Sequence, residues 1–215
     1  MKIEITKSFN SRVERSDRVI KVAEAFGLGL EDREWTVLDG ISLEVLQGDV
    51  IYICGQSGAG KSVLLRELAH KIGEQLNVAS IDQIEFENKP LIDQIGDSMA
   101  DAIRLLSIAG LSDAYLYIRK PSELSDGQRY RFRLAKLIEG GADVWVADEF
   151  GAVLDRVTAK VVAMNLAKVA RQLNKTLIVA TTHTDLVDEL APTLKIMKRF
   201  HERITIDDNR ISMDS

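Results

Sequence analysis

The segment GQSGAGKS, residues 55–62, constrains this chain more than any other. Three glycines precede a lysine and a serine in the spacing G-x-x-x-x-G-K-S. The apolar run VIYIC (50–54) comes directly before it, and Leu64, Leu65, Leu68 and Ile72 follow at helical spacing, with Gly73 as a stop. Strand, tight turn and helix are therefore expected in that order. Glycine lets the backbone turn sharply and aim its N–H groups at one point without a Cβ in the way. The start of the helix adds the positive end of its dipole. A glycine-rich turn with a capping serine is the competing reading, and the strand before and helix after disfavour it. The pattern implies a phosphate site.

In that site the loop Gly55, Gln56, Ser57, Gly58, Ala59 and Gly60 would cradle the phosphates, with Val63 at the start of the helix. Lys61 would reach the β- and γ-phosphates, and the Ser62 hydroxyl would sit on Mg²⁺. Such a loop needs an acid at a neighbouring strand end. The run VWVADE supplies Asp148 for the metal and Glu149 to orient and deprotonate a water.

Strand and helix signals alternate along the rest of the chain. NVASIDQ (77–83), VWVAD (144–148) and TLIVATT (176–182) read as strands. Ile92, Ile95, Met99, Ile103 and Leu106 predict a helix opening after Pro90, and GQRYRFRLAKLIE another that stops at Gly140-Gly141. Val162, Leu166, Val169 and Leu173 predict a third. VIKVAEAFG (19–27) and the stretch 36–55 read as short strands with turns at Asp39-Gly40 and Gln47-Gly48-Asp49. The expected fold is α/β, a P-loop NTPase: a mostly parallel sheet flanked by helices, with a small antiparallel β layer. One domain over 1–215 is expected.

Charge narrows the partners. At net −5 the chain has no general footprint for nucleic acid, so such a partner is open but unsupported. The segments 7–21 and 195–203 lean basic and read as solvated faces interrupted by acids. The one cysteine, Cys54, lies in the apolar run 50–54, so a buried thiol in a reducing, cytoplasmic setting is expected. No apolar run approaches the roughly 20 residues of a spanning helix, so no direct membrane insertion is expected.

A family enters at ELSDGQRYR (123–131). The chain resembles the ATP-binding-cassette (ABC) ATPases, whose LSGGQ signature is matched in four of five positions, Asp126 replacing a glycine. Gln128 stands twenty residues before Asp148, the family's spacing. DEFGAVLD (148–155) is similar to its DEPTSALD segment, which makes Asp155 the D-loop acid, and IVATTHTD (178–185) supplies the switch histidine, His183. Gln83 matches the Q-loop glutamine, which senses Mg²⁺ and water. Phe26 stands where the adenine-stacking aromatic is expected, with Trp35 a competing candidate.

The resemblance implies an ATPase with Glu149, His183 and Lys61 catalytic, and Ser62, Gln83 and Asp148 at the metal. It also implies a homodimer in which Ser125, Gly127 and Gln128 of one copy close on ATP held by the other. Asp126 either weakens that contact or caps the following helix, and the cap is the favoured reading. Lys61 to Ser125 is only 64 residues, short for transporter ATPases, so the resemblance implies a shortened helical subdomain at about 90–125. That shortening points to soluble, non-transport cassettes related to those fused to a predicted acetyltransferase. An unidentified protein partner, acetyltransferase-like in that branch, is then expected; an ATP-binding subunit of an ABC transporter is the alternative.

Overall fold

The computed structural model describes residues 1–200 and 202–210, and they fall into two compact units. The smaller, Lys2–Glu44, is an antiparallel ribbon of β1 (Lys2–Ser11) and β2 (Arg33–Glu44) joined through helix α1 (Asp17–Phe26). Two expectations fail here. VIKVAEAFG is helical, because Ser16 caps the first turn, its hydroxyl accepting from the Val19 N–H, and Gly27 closes the last at φ +63°. Val19, Val22, Ala23 and Phe26 repeat at helical, not strand, spacing. Asp39-Gly40 is no hairpin turn either. The strand continues through it as a bulge opposite Thr6, whose hydroxyl accepts the Gly40 N–H at 3.1 Å.

The larger unit, Met1 with Val45–Ser215, carries a six-stranded sheet in the order β4-β5-β6-β3-β7-β8. Its strands are β3 (Val50–Cys54), β4 (Val78–Ser80), β5 (Val144–Ala147), β6 (Thr176–Thr181), β7 (Leu194–Met197) and β8 (Thr205–Asp208). All neighbours are parallel except the final hairpin β7–β8. Every residue of β3, β5 and β6 is buried, as strands covered on both faces require. Helix α2 (Lys61–Gly73) buries Leu64, Leu65, Leu68 and Ile72. The Cys54 thiol is buried, and burial pushes it above the usual thiol range.

After β4 the chain makes a single 3-10 turn at Ile81–Gln83, where the sequence predicts strand. The helix expected after Pro90 is also shorter. A 3-10 turn at Leu91–Asp93 comes first, and α3 (Met99–Ile108) begins only where the Ser98 hydroxyl accepts the Asp101 N–H. Gly96, at φ +76°, makes the break; a Cβ there would lie 2.5 Å from the Ala102 nitrogen. One turn, α4 (Ala114–Tyr117), follows. Helix α5 (Asp126–Glu139) buries Phe132, Leu134, Ala135 and Leu137, and α6 (Arg156–Gln172) buries Val162, Leu166 and Ala170. A last short turn, α7 (Val187–Leu190), leads into β7. The parallel strands β3, β5 and β6 end on one edge, where an α/β sheet holds its ligand.

Candidate functional site

The phosphate loop springs from that edge. Gly55 sits at φ +145°, and a Cβ on it would be 1.9 Å from the Lys198 carbonyl oxygen, so the position admits no side chain. Gly60 caps α2 in the left-handed region at φ 95° with no side-chain hydrogen bond. The first turn of α2 therefore lacks a side-chain cap, which leaves its N–H groups and dipole suited to an anion. Lys61 is only 9% exposed, and its Nζ donates to the Gln56 carbonyl at 2.7 Å. Burial lowers its pKa, while Asp148, Cys54 and Glu149 pull the other way.

A cavity of about 370 Å³ lies against the loop and brings together Ser57, Gly58, Lys61, Ser62, Asp148 and Glu149. Asp148 follows β5 directly, and its Oδ1 accepts the Glu149 N–H at 2.9 Å. Glu149 itself has φ +46°, a left-handed backbone that a glutamate adopts at a penalty of about 1–3 kcal/mol. A second cavity, about 550 Å³, holds Gln83, Asp82 and Ser80 and shares Asp148 with the first. Asp82 was not anticipated. Partial desolvation, then the nearby Asp148 charge, push its carboxyl above the usual range, opposed by Arg133 on α5.

His183 is held from several sides and does not line the first cavity. Its N–H donates to the Thr181 hydroxyl at 3.1 Å, its carbonyl accepts from the Tyr52 hydroxyl, and its Nδ1 meets Arg156 at 2.9 Å. Arg156 also pairs with Asp185. Nothing in the local sequence singles out Arg156, because the contact joins residues 27 apart.

Ser125, Gly127 and Gln128 line neither cavity; they form the start of α5. Ser125 and Gln128 make a capping box. The Ser125 hydroxyl accepts the Gln128 N–H at 3.3 Å, and Gln128 Oε1 accepts the Ser125 N–H at 2.9 Å. The cap is thus Ser125, not Asp126. Asp126 occupies the first turn, where its carboxylate suits the helix dipole and pairs with Arg129. A Cβ on Gly127 would be 3.2 Å from the Val153 carbonyl oxygen, so the signature packs closely on the segment before Asp155. Asp155 caps α6, accepting the Thr158 N–H at 3.0 Å. The Tyr130 hydroxyl, on α5, accepts the Gly151 N–H at 3.2 Å.

The aromatic candidates belong to the smaller unit. Phe26 ends α1 and is 75% exposed; Trp35 lies in β2, half exposed, its ring 6.1 Å from that of Phe9. Phe200, in the basic segment 195–203, is a further aromatic in the larger unit. Its Cε2 lies 4.0 Å from where a Cβ on Gly58 would be.

The residues suit Mg²⁺, a hard cation that takes oxygen ligands: a serine hydroxyl, an amide and one carboxylate beside a phosphate loop. Among the described residues no cluster of three or more His, Cys, Asp or Glu forms a metal cage. Mg²⁺ bound mainly through phosphates and water needs none.

Comparison with known proteins agrees with this geometry. A family model described as "ABC transporter" matches residues 38–106. The methionine import ATP-binding protein MetN of Streptomyces coelicolor is 28% identical over 210 residues, which cover 78% of this chain and 59% of that protein. MetN 1 of Oceanobacillus iheyensis is 27% identical over 198 residues, covering 75% and 58%. The chain thus spans less than two thirds of the length of the curated relatives it matches. Among solved structures, the dimeric post-hydrolysis cassette MJ0796 with ADP and Pi aligns at TM-score 0.67 and 16% identity, over 98% of this chain and 99% of that one. A putative metal-chelate type ABC transporter aligns at 0.61 and 19%, over 80% and 77%. At these identities the structures speak to fold, and the fold is the P-loop ABC cassette. The relatives are importer ATP-binding proteins, and these matches give the acetyltransferase-related branch no support. The chain thus has the fold of the ABC cassette and is similar, over residues 38–106, to the ABC transporter family and, over about three quarters of its length, to MetN importer ATP-binding proteins.

Proposed function

We propose that the chain binds ATP with Mg²⁺ as a head-to-tail pair and hydrolyses it in two composite sites. The observation that carries this is the cavity uniting Lys61, Ser62, Asp148 and Glu149 at the strand ends. Loop amides of Gly55–Gly60 and the Lys61 ammonium bind and orient the β- and γ-phosphates. Ser62, Asp148 and Gln83 would hold Mg²⁺, which when bound neutralises phosphate charge. The Glu149 carboxylate orients the attacking water and takes its proton, and His183 donates a hydrogen bond to the γ-phosphate. Ser125 can still donate its hydroxyl hydrogen to a phosphate oxygen while accepting from Gln128, so the helix cap leaves it able to serve a second copy's nucleotide.

Such a pair closes on ATP because the γ-phosphate bridges both copies, and hydrolysis removes the bridge. Glu149→Gln should retain ATP, lose turnover and run as a dimer on size-exclusion chromatography with ATP and Mg²⁺. A variant that stays monomeric under those conditions would exclude the paired site.

The names of the relatives favour an energy subunit for import, docked at the cytoplasmic face of a polytopic membrane partner. Among the described residues no helix is long and apolar enough to cross a membrane, so the span would belong to that partner. The short stretch from Lys61 to Ser125 favours instead a cassette that drives a non-transport partner. Proteins captured by Glu149→Gln with ATP separate the two: a polytopic membrane protein supports import, and a partner without spans supports the other.

A further inference from the structure

We infer that Arg156 is a positioning residue that holds the His183 imidazole as its Nε2–H tautomer. A guanidinium has five N–H donors and no acceptor. Its contact with His183 Nδ1, at 2.9 Å, is therefore a hydrogen bond only if Nδ1 offers a lone pair. The ring's one proton then lies on Nε2, the nitrogen turned away from Arg156. A neutral imidazole has a single N–H to give, and this contact decides which nitrogen gives it.

The surroundings leave Arg156 little freedom to do otherwise. It is the first residue of α6, directly after the cap Asp155, so its backbone is fixed by the start of a helix of 17 residues. Its other terminal nitrogen pairs with the Asp185 carboxylate, two residues beyond His183. Glu189, another carboxylate whose charge reaches Arg156, is engaged by Lys160 at 2.7 Å. The His183 main chain is pinned independently by Thr181 and Tyr52. Ring position is thus set by the backbone, and proton position by Arg156. Because Arg156 follows the D-loop acid, a displacement of residues 151–155 reaches the histidine's proton through one side chain.

The catalytic weight of this arrangement rests on the role proposed above for His183, but the tautomer can be measured without any turnover. The chain has three histidines, so long-range ¹H–¹⁵N spectra of ¹⁵N-histidine-labelled protein can be assigned with His183→Gln. At a pH where the ring is uncharged, the wild-type protein should show His183 with the Nε2–H pattern. Arg156→Ala should shift it toward an averaged or Nδ1–H pattern, and Arg156→Lys, whose ammonium is also only a donor, should restore Nε2–H. In ATPase assays Arg156→Ala should lower kcat about tenfold with KM nearly unchanged, and Arg156→Lys should recover most of it. A wild-type Nδ1–H ring, or the same pattern in wild type and Arg156→Ala, overturns the inference. If the wild-type and variant spectra behave as stated while ATPase activity is absent, the tautomer assignment stands and the proposed function falls.

Discussion

Lys61 Nζ donates to the Gln56 carbonyl at 2.7 Å, so the phosphate loop is clasped by its own lysine. The ammonium is buried, and that one carbonyl replaces part of the water it has lost. A triphosphate offers it a stronger, charged acceptor in the same concavity. Lys61→Ala should therefore weaken nucleotide binding by about 10- to 100-fold, as expected for a lost hydrogen bond between charged groups. Titration with a fluorescent ATP analogue checks this, and unchanged affinity would remove the phosphate-loop assignment.

Two loop glycines should respond differently to the same methyl group. Gly55→Ala drives a Cβ to 1.9 Å from the Lys198 carbonyl oxygen, which is backbone and cannot swing aside. Its expected loss is about 3 kcal/mol of unfolding free energy, from the clash and the positive φ together. At Gly58 the nearest atom is the end of the Phe200 ring at 4.0 Å, so only the φ of +76° is penalised, by about 1 kcal/mol. Urea denaturation of the two variants side by side gives the comparison.

Ser125 has two separable duties. Ser125→Ala should remove the α5 cap and about 1 kcal/mol of stability. Ser125→Asp should keep a capping oxygen and near wild-type stability, because aspartate is as good a cap. It should nevertheless abolish ATP-induced dimers, since a carboxylate would face the triphosphate of the second copy. Thermal melts and size-exclusion chromatography read the two duties apart.

Asp82 should make stability fall with rising pH. Its carboxyl is held above the usual value by partial desolvation and by Asp148, so the fold binds that proton more tightly than the unfolded chain does. The resulting stabilisation is present in acid and fades as pH climbs through the ordinary carboxylate range toward the raised value. Asp82→Asn should therefore melt higher than wild type at neutral pH, with the difference closing below about pH 4. Melting curves across that range, without nucleotide, test it; a constant difference would contradict the account.

What could be read from the residues alone was what is contiguous. Gly55–Ser62, Ser125–Gln128 and Asp148–Glu149 are each local in sequence, and each lies where a strand or helix ends. Helix α1 was misread because Val19, Ile20 and Val22 are β-branched or strand-favouring types, while Ser16 and Gly27 are the signals that decide it. β1 gives no clear signal: six of its ten residues are exposed, and its only buried ones are Ile3 and Ile5. The late start of α3 depends on Gly96, whose positive φ no periodicity reveals. Arg156 and Asp82 owe their importance to neighbours far along the chain, and spacing rules are silent on those.

The bond from the Gly151 N–H to the Tyr130 hydroxyl has a consequence for the proposed pair. Each copy would lend Glu149 to one nucleotide and Ser125 to the other, and this buried bond ties the segments bearing them inside a single chain. Strain imposed by spent nucleotide on one side is then delivered to the other without crossing a subunit boundary. Two such pockets cannot fire as strangers: their turnover statistics should be correlated, and Tyr130→Phe should make the two events more nearly random with respect to each other.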